Sequence, residues 1–591
     1  MTYDSWPNLA TMFFERAVEI GERPFLSAKR GGDWRAVSGI EAAGQAAALA
    51  NALRAMGVVP GDRVMLVSEN RPEWAIADLG IMAAGAITVP AYVTNQVNDH
   101  LHVMTDSGAR AVIVSSPALA ETVRSAMRDA PHMETMVVID GDAVEDAHSW
   151  REMLAAHPGS LDAVAASARQ IARNETACII YTSGTGGVPK GVMLSHGAII
   201  SNCKGARDVL SELGLDDEKF LSFLPLSHSY EHTAGLMFPI SIGAQIFYAE
   251  SVDKLAANME EVSPTILTCV PRLYENMHSR ILRGVTQSGG LKAKLFHKAV
   301  EIGIRKYHNN GRLGLAARFV DAVLEKLVRD KVRQRFGGRL KAMVSGGAPL
   351  NLDIGLFFTA LGLRLLQGYG QTESAPVISC NPPTRNRIDT VGPPMIDVEV
   401  RLADDGEILV RGELMMQGYW GNQQATDEVI RDGWLHTGDI GEFDDDSYIR
   451  ITDRKKDIIV NTGGDNVSPQ RIEGILTLQP EIAQAMVHGD RKPHLVALIV
   501  PDPEFVRDWA AANSKSGDLA TLIDDTELRA VLQGAIDRVN GSLSVIERIR
   551  RIHMTAAPFT IENELMTPSL KIRRHKINEI HGAALEKLYG H

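Results

Sequence analysis

The chain has 591 residues, of which 45% are hydrophobic and 23% charged, and its formal net charge is −12 at pH 7. This composition is that of an ordinary globular protein and excludes a disordered, collagenous or fibrous chain. The length exceeds one ordinary domain and indicates about three or four compact units. Four cysteines lie far apart without a C-x-x-C pair, so neither disulfides nor a cysteine-rich zinc site are expected.

The first residues, MTYDSWPNLATMFFERA, lack the basic start and continuous apolar segment of a signal peptide. The longest apolar stretch, residues 76–93, is interrupted by Asp78, Gly80, Gly85 and Pro90. It is therefore too broken to form a transmembrane helix. These features predict a cytoplasmic protein in a reducing compartment.

Apolar strand-like runs alternate with helical patterns from the N-terminus to about residue 450. A strand is predicted at residues 63–67 before a helix from about Glu73, and another at 111–114 before a helix from about Ala118. Such alternation is typical of α/β folds with largely parallel sheets.

The pattern changes to short strands and turns from about Asp397, which predicts a β-rich subdomain. The stretch ITDRKKDIIV, residues 451–460, follows an acidic turn and opens a smaller unit. We therefore predict an α/β protein. Its large N-terminal domain, residues 1–455, would combine α/β subdomains with the β-rich subdomain, and a small α+β C-terminal domain would span residues 456–591.

The segment YTSGTGGVPKG, residues 181–191, places four glycines and one lysine between two apolar runs. Glycine backbone and a fixed cation suit a phosphate. Counted from Gly184, however, Pro189 stands where the nucleoside-triphosphatase loop needs its second glycine, and Gly191 where it needs a hydroxyl. The pattern instead predicts a strand-to-strand connection, with Ser195 capping the helix that follows. A merely flexible hairpin is the alternative.

Residues 278–341 carry sixteen Lys and Arg against four acids. Apolar residues recur at helical spacing within this segment: Ala316, Phe319, Val320, Val323, Leu324, Leu327 and Val328. A basic amphipathic helix can lie on an anionic membrane surface. The alternative is a helix that packs this stripe inward and solvates its charges. Nucleic acid is not an expected partner, because the segment lacks the interleaved aromatic residues that stack on bases.

The stretch His228-Ser229-Tyr230-Glu231-His232 matches the H-x-x-E-H pattern of some zinc peptidases. Pro225 just upstream and Gly235 just downstream leave room for only a short helix, and no third ligand stands out. A zinc site is therefore not expected here. No G-x-S-x-G elbow of a serine hydrolase is present either.

Two glycine-rich segments, SGGAPL at 345–350 and QGYGQTES at 367–374, could receive a nucleotide. Their glycines let a flat ring approach the backbone, and Tyr369 can stack on that ring. Thr372 and Glu373 can bind a phosphate and a divalent cation respectively.

Three further segments carry candidate ligand-binding groups. GWLHTGD, residues 433–439, ends in Asp439, whose carboxylate can accept hydrogen bonds from both hydroxyls of a ribose. Arg454 follows Asp453 in the next segment, and TPSLKIRR, residues 567–574, carries Lys571.

Taken together, YTSGTGGVPKG, GYGQTE, GWLHTGD, DRKKD and TPSLK resemble, in order and separation, the motifs of the adenylate-forming superfamily of acyl-CoA synthetases, luciferases and peptide-synthetase adenylation domains. The resemblance covers about residues 10–580. VPRLYE at 270–275 with the basic helical insertion, and TPSLK in place of the more usual Gly-Lys, are similar to the long-chain fatty acyl-CoA synthetase branch.

The resemblance implies ATP-dependent, AMP-forming ligation of a fatty acid to coenzyme A through an acyl-adenylate, with Mg²⁺ as cofactor. Two rivals remain: an enzyme that loads an acyl carrier protein, and a non-catalytic membrane-associated lipid-binding protein. The resemblance implies small-molecule partners, namely the fatty acid, ATP and coenzyme A. Separately, the basic amphipathic pattern of residues 278–341 predicts peripheral contact with the inner face of an anionic membrane.

The resemblance also assigns roles to individual residues. Lys571 and His228 would contact the reacting carboxylate, and Thr182 and Glu373 would be the catalytic ligands of Mg²⁺. The phosphates would be held by Thr182, Ser183, Gly184, Thr185 and Lys190. The rest of the nucleotide would contact Gly346, Gly347, Ala348, Gln367, Tyr369, Gly370, Thr372, Asp439 and Arg454.

The C-terminal domain is implied to be mobile, rotating about Lys456 between the two half-reactions. Rotation would withdraw Lys571 after adenylation and bring Gly463 and Gly464 to the thiol channel. One departure concerns Gly186, which stands where the family usually has a second threonine. A backbone N–H can still donate there, so we expect a working phosphate loop.

Overall fold

The computed structural model describes residues 3–141, 146–182, 188–455, 458–463, 465–515, 517–561, 563–567 and 572–590. The α-helices are α1 Leu9–Ile20, α2 Gly39–Ala55, α3 Pro72–Ala83, α4 Val97–Ser107, α5 Pro117–Met127, α6 Trp150–Ala156, α7 Leu161–Ala168, α8 His196–Leu210, α9 Phe238–Ile242, α10 Leu255–Val262, α11 Pro271–Ser288, α12 Gly290–His308, α13 Leu315–Leu324, α14 Asp330–Arg335, α15 Leu352–Ala360, α16 Gln423–Val429, α17 Pro469–Leu476, α18 Pro503–Ala512, α19 Leu519–Leu522, α20 Thr526–Asn540 and α21 Arg574–Lys587.

The strands are β1 Pro24–Arg30, β2 Asp33–Ser38, β3 Arg63–Val67, β4 Ile87–Ala91, β5 Ala111–Val114, β6 Thr135–Val138, β7 His148–Ser149, β8 Thr176–Thr182, β9 Lys190–Ser195, β10 Lys219–Ser222, β11 Gln245–Tyr248, β12 Ile266–Cys269, β13 Ala342–Ser345, β14 Leu365–Gly370, β15 Val377–Cys380, β16 Glu399–Leu402, β17 Glu407–Arg411, β18 Gly418–Tyr419, β19 Ile430–Arg431, β20 Trp434–Phe443, β21 Ile449–Arg454, β22 Ile459–Val460, β23 Asn466–Val467, β24 Ile482–His488, β25 Leu495–Pro501 and β26 Ile549–Met554. Short 3₁₀ turns at Tyr3–Ser5, Ser211–Leu213, Thr372–Ser374 and Val545–Glu547, and π-helical turns at Glu231–Met237 and Glu325–Arg329, complete the description.

Two eight-stranded sheets form most of the N-terminal domain. The first sheet has the order β18-β9-β8-β4-β3-β5-β6-β7, and the second β15-β14-β13-β12-β10-β11-β1-β2. Pairing is mainly parallel, and antiparallel pairs occur toward the edges, at β8–β9, β9–β18, β14–β15 and β1–β2. The predicted strand-helix pairs at 63–67 and 111–114 are confirmed as β3 with α3 and β5 with α5.

One large apolar core joins the two sheets. Helices α1, α2, α3 and α8 contribute fully buried side chains to it, and so do strands of both sheets, including Leu66 of the first sheet and Ile266 of the second. Because parallel strands are covered on both faces, their residues read as continuous apolar runs. The four buried residues of β5, Ala111 to Val114, follow this rule.

The β-rich subdomain predicted from about Asp397 is confirmed as a five-stranded sheet, β16-β17-β20-β19, with β21 paired to β20. The C-terminal domain has a separate core built on the three-stranded sheet β24-β25-β26 and helices α17 and α20. The predicted α/β class with a small α+β C-terminal unit is thus confirmed. No helix in the described ranges is long and apolar enough to cross a bilayer.

Four neighbouring strands of the second sheet end at the same edge. β10, β12, β13 and β14 are parallel, and their carboxyl ends lead into FLPLSH, VPRLYE, SGGAPL and QTES respectively. Ligands of open α/β sheets bind beyond the carboxyl ends of the strands. The topology therefore gathers segments that lie up to about 150 residues apart in the chain at one edge.

The connection from β12 to β13 holds helices α11 to α14 and includes the basic segment 278–341. Its inner side packs on α15 in a second apolar core. The alternative to membrane contact is that the amphipathic stripe packs inward. Leu324 and Val328 do so and are buried, but the other large apolar side chains of the stripe are exposed. Phe319 is 74% exposed, and Val320, Val323 and Leu327 are exposed as well.

The C-terminal domain contacts this insertion. Arg272 of α11 donates a hydrogen bond to the carbonyl of Ala483, and Arg283 forms an ion pair with Glu504 at the start of α18. Leu478 packs against the apolar core of the insertion. The insertion is therefore part of the surface on which the C-terminal domain rests.

A buried carboxyl group stands behind the segment FLPLSH. Glu231 is fully buried and accepts hydrogen bonds of 2.7 Å from the hydroxyls of both Ser222 and Thr268. Burial raises the pKa of Glu231 to about 7, although the two hydroxyls favour the charged form. A methyl group at Gly235 would collide with this carboxyl, so glycine is required one helical turn later.

We predict that Glu231 destabilises the fold as it ionises. Its folded pKa lies above the unfolded value of about 4.5, so its stability contribution is complete below pH 4.5 and is lost as the pH rises to about 7. Between pH 4.5 and about 7, the free energy of unfolding of the wild type should therefore fall by up to roughly 3 kcal/mol relative to that of Glu231→Gln. Chemical denaturation of both proteins at a series of pH values measures the difference.

Glu407 is the control, because its pKa shift and the resulting pH dependence of stability have the opposite sign. Burial opposes its ionisation, but hydrogen bonds from Lys455 and His436 hold the pKa of Glu407 below its usual value. The wild type should therefore lose stability relative to Glu407→Gln as the pH falls through the acid range. A Glu231→Gln difference that does not vary with pH would contradict the prediction.

Candidate active site

The predicted strand-to-strand connection around YTSGTGGVPKG is an antiparallel hairpin of β8 and β9. Thr182 and Lys190 lie opposite each other at its open end, and Ser195 caps α8 by accepting the N–H of Ala198 at 3.1 Å. Thr182 and Lys190 are half-buried. Ser183, Gly184, Thr185 and Gly186, between them, lie outside the described residues.

A strand from the β-rich region extends this hairpin. Tyr419 of β18 pairs with Val192 of β9, which places the Tyr419 ring beside Lys190. The Lys190 ammonium lies 4.4 Å from the centre of the ring. The hydroxyl of Tyr419 donates a hydrogen bond of 2.8 Å to Oε1 of Glu373. One tyrosine therefore contacts the cation of the first sheet and a carboxylate of the second.

Glu373 and Thr372 form a 3₁₀ turn after β14. The hydroxyl of Thr372 is 3.0 Å from that of Ser229, so this turn contacts the segment FLPLSH. The next residue back, His228, accepts the backbone N–H of Tyr230 on Nδ1 at 3.1 Å. In a neutral ring this bond places the proton on Nε2, which makes that atom a donor.

Asn70, in the loop that follows β3, fixes the segment that carries His228. Its amide group donates to the Leu224 carbonyl at 2.6 Å and to Ser222 at 3.0 Å, and its side-chain oxygen accepts the N–H of Leu226. Both ends of the turn before His228 are thus tied to the first sheet.

Tyr230 explains the first glycine of SGGAPL. Its hydroxyl donates to the carbonyl of Val344 at 2.9 Å, and a methyl group at Gly346 would lie only 3.0 Å from its ring. Gly347 has a positive φ of 84° and is exposed, as is Ala348. The segment therefore keeps a bare backbone surface next to a buried aromatic ring.

Gly370 and Gln367 shape the next segment, on β14. A methyl group at Gly370 would collide with the backbone of Pro376, so the close pairing of β14 with β15 requires glycine there. The Gln367 amide group donates to the carbonyl of Ile388 and is buried. Gln367 therefore ties the strand to the following loop.

Tyr369, Asp439 and Arg454 form one hydrogen-bonded group. The Tyr369 hydroxyl donates to one Asp439 oxygen at 2.8 Å, and Arg454 Nε donates to the other at 3.0 Å. Asp439 is 4% exposed. Burial and the Asp439 charge together raise the pKa of Tyr369, so its hydroxyl stays a donor at neutral pH. A carboxylate has about four acceptor positions, which leaves capacity for a ligand's hydroxyls.

Part of the predicted site in the C-terminal domain is described. Gly463 is exposed and donates its N–H to the side chain of Asn461 at 2.8 Å. Lys456, Gly464 and Lys571 lie outside the described residues.

The donor set at Glu373 fits a magnesium ion. Its Oε2 accepts no hydrogen bond from the described residues, and the Thr182 hydroxyl is the second predicted oxygen ligand. Mg²⁺ is usually held in proteins by one or two carboxylates plus substrate phosphates and water. Among the described residues no cluster of three or more His, Cys, Asp or Glu is placed to hold a metal ion.

These contacts join residues of all the predicted segments of the N-terminal domain. Sequence reasoning identified Thr182, Lys190, Glu373, Tyr369 and Asp439. It missed the partners that hold them, which are Asn70, Ser222, Ser229, Tyr230, Thr268 and Tyr419. Four of these six lie in no pattern that predicts chemistry. Ser229 and Tyr230 fall inside H-x-x-E-H, but at the two variable positions of that pattern.

Comparison with protein families gives two matches along the chain. The family described as AMP-binding enzyme matches residues 13–420, and the AMP-binding enzyme C-terminal domain matches residues 456–591.

Two curated relatives match over most of their lengths. Long-chain-fatty-acid–CoA ligase FadD15 of Mycobacterium bovis is 35% identical, over 98% of this chain and 97% of that protein. The peroxisomal long chain acyl-CoA synthetase 7 of Arabidopsis thaliana is 32% identical, over 93% of this chain and 81% of that protein.

Solved structures share the fold. An anthranilate CoA ligase, AuaEII, in complex with anthranoyl-AMP, aligns with a TM-score of 0.75 at 22% identity, covering 99% of each chain. A benzoate CoA ligase from Burkholderia xenovorans LB400 aligns with a TM-score of 0.71 at 22% identity, covering 96% of this chain and 99% of that one. With its enzyme domain and its C-terminal domain both matched in order, the chain belongs to the AMP-binding enzyme family.

Proposed function

We propose that the chain catalyses the ATP-dependent, AMP-forming ligation of a long-chain fatty acid to coenzyme A. The observation that carries the proposal is the contact chain from Lys190 through Tyr419 to Glu373 and on to the His228 segment. It joins a cation, a candidate metal ligand and a hydrogen-bond donor for a carboxylate. The names of the two curated relatives supply the substrate class.

The first half-reaction must overcome repulsion between two anions. A fatty carboxylate attacks the α-phosphorus of ATP and releases pyrophosphate, so charge must be neutralised and the attacking oxygen held in line. Lys190 and the hairpin residues Thr182, Ser183, Gly184 and Thr185 would hold the β- and γ-phosphates.

Magnesium, held by Thr182 and Glu373, would supply Lewis-acid neutralisation of phosphate oxygens when bound. His228 would donate from Nε2 to the fatty carboxylate, because its Nδ1 already accepts a backbone N–H. Lys571 would contact both the carboxylate and the α-phosphate, where negative charge develops in this step.

The nucleoside would lie at the strand ends of the second sheet. Tyr369 would stack on adenine, while Asp439 and Arg454 would bind the ribose hydroxyls. The bare backbone of Gly346, Gly347 and Ala348, together with Gln367, Gly370 and Thr372, would border the remaining faces of the nucleotide.

The second half-reaction transfers the acyl group from AMP to the thiol of coenzyme A. We propose that residues 456–591 form the domain that rotates about Lys456 between the two steps. Rotation would withdraw Lys571 and bring Gly463 and Gly464 to the thiol channel. Closure and rotation of this kind exclude water from the reactive intermediate.

Product analysis tests the proposal directly. With ATP, Mg²⁺, palmitate and coenzyme A, the expected products are palmitoyl-CoA, AMP and pyrophosphate in equal amounts, measured by chromatography. Acyl-adenylate that accumulates and is transferred only to an acyl carrier protein would favour the carrier-loading rival. Absence of pyrophosphate release with any fatty acid would favour the non-catalytic lipid-binding rival.

We predict that Lys571→Ala separates the two half-reactions. Loss of one charge-stabilising donor should slow adenylation about 10²- to 10³-fold, measured as palmitate-dependent pyrophosphate release. Thioester formation from supplied palmitoyl-AMP and coenzyme A should be unchanged, because the lysine acts in the first step only.

Lys587→Ala is the matched control, since Lys587 is an exposed lysine of α21 in the same domain. It should leave both half-reactions unchanged. Equal losses in both half-reactions of Lys571→Ala would refute the assigned role.

We also propose peripheral contact with the inner face of an anionic membrane through residues 278–341. Leu315 and Phe319 of α13 are 85% and 74% exposed, and Val323 and Leu327 extend the same apolar stripe. The exposed basic side chains around it are Arg312, Arg318 and Lys326. Since the whole chain is acidic, this local excess of positive charge selects an anionic surface.

We predict sedimentation with vesicles that contain phosphatidylglycerol, and weaker sedimentation at higher salt because charges are then screened. Replacing both Leu315 and Phe319 by serine should lower the partition coefficient about tenfold or more, since two large side chains no longer enter the interface. Ile580→Ser is the control, because Ile580 is 62% exposed on α21 of the C-terminal domain. Failure of the wild type to sediment at low salt would contradict the prediction.

A further inference from the structure

Tyr419 contacts two groups of opposite charge with one rigid side chain. We propose that it is a positioning residue, which keeps Lys190 and Glu373 apart and so leaves the carboxylate available to magnesium. The inference rests on the proposed function, because it takes Glu373 as the magnesium ligand.

Tyr419 is well placed for this role because its own position is fixed. It is 7% exposed, and its backbone N–H donates to the Thr426 hydroxyl at 2.9 Å. The nearby Met416 N–H donates to the Glu373 carbonyl at 2.8 Å, so segment 416–419 is tied to Glu373 through both backbone and side chain. The pairing of β18 with β9 fixes the Tyr419 backbone, and burial limits the room that its ring has to move.

The Tyr419 hydroxyl donates to Oε1 of Glu373 at 2.8 Å. A hydrogen bond to an ionised carboxylate is stronger than one between neutral groups, and this one fixes the direction of the Glu373 carboxylate. It occupies Oε1 and leaves Oε2 for a cation.

The Tyr419 ring also attracts the Lys190 ammonium, 4.4 Å from its centre, through the negative face of the aromatic system. Lys190 and Glu373 thus bind opposite ends of the same side chain. Without this spacer the two charges would attract each other directly. Their ion pair would compete with the phosphates for the lysine and with magnesium for the carboxylate.

The test measures binding of α,β-methylene ATP, which cannot be cleaved at the reacting bond, by calorimetry with Mg²⁺ and with EDTA. The dissociation constant in EDTA divided by that in Mg²⁺ reports the contribution of the metal to binding. Tyr419→Phe keeps the ring but not the hydroxyl, so it should reduce this ratio about tenfold and leave the affinity in EDTA unchanged. Tyr419→Leu should in addition weaken binding in EDTA, because Lys190 is then free to pair with Glu373.

Tyr448→Phe is a matched control in the neighbouring β-rich subdomain. Tyr448 is also buried, donates its hydroxyl to the Arg385 carbonyl at 2.7 Å, and carries the Arg387 guanidinium 4.2 Å from its ring centre. Tyr448→Phe should leave the ratio unchanged. An equal reduction of the ratio in Tyr448→Phe would show that losing any buried tyrosine hydroxyl in this part of the protein weakens metal-dependent binding, and would overturn the proposal.

Glu373→Gln separates failure of this inference from failure of the proposed function. One outcome is that Glu373→Gln abolishes the Mg²⁺-dependent gain in affinity while Tyr419→Phe retains it. Glu373 would then bind the metal, but Tyr419 would have no positioning role. If Glu373→Gln retains the effect of Mg²⁺, the metal role of Glu373 is wrong and the Tyr419 inference is wrong with it.

Discussion

The site depends on one constraint: a cation on the first sheet must stand a fixed distance from a carboxylate on the second. Tyr419, on the edge strand β18 of the first sheet, spans this distance, with its ring beside Lys190 and its hydroxyl on Glu373. Such a contact is useful only if both sheets are held rigidly. The shared core that includes helices α1, α2, α3 and α8 provides that rigidity, because close-packed protein interiors have low compressibility.

A second set of contacts holds the segment of His228 in place. Asn70 ties the turn before it to the first sheet, and the fully buried Glu231 ties the turn after it to β10 and β12 through Ser222 and Thr268. Buried polar groups need their hydrogen bonds, so these residues have little freedom to rearrange. The histidine is therefore presented to the strand ends with one ring nitrogen already engaged.

The insertion between β12 and β13 has two faces with different roles in the fold. Its inner face packs on α15, and Arg272 and Arg283 of α11 contact the C-terminal domain. Its outer face leaves Leu315 and Phe319 exposed among basic residues. The proposed membrane contact rests on this group of exposed apolar side chains.

The sequence by itself determined the fold class, the hairpin of YTSGTGGVPKG, the β-rich region and the segments that meet at the site. Local patterns are sufficient for these, since glycine spacing, strand alternation and capping residues act over a few positions. It did not reveal Tyr419 or Asn70, whose side chains contact partners 46 or more residues away. It also left open which way the amphipathic stripe faces. Only the tertiary structure decided these points, because long-range contacts and burial depend on how the sheets pack rather than on neighbours in the chain.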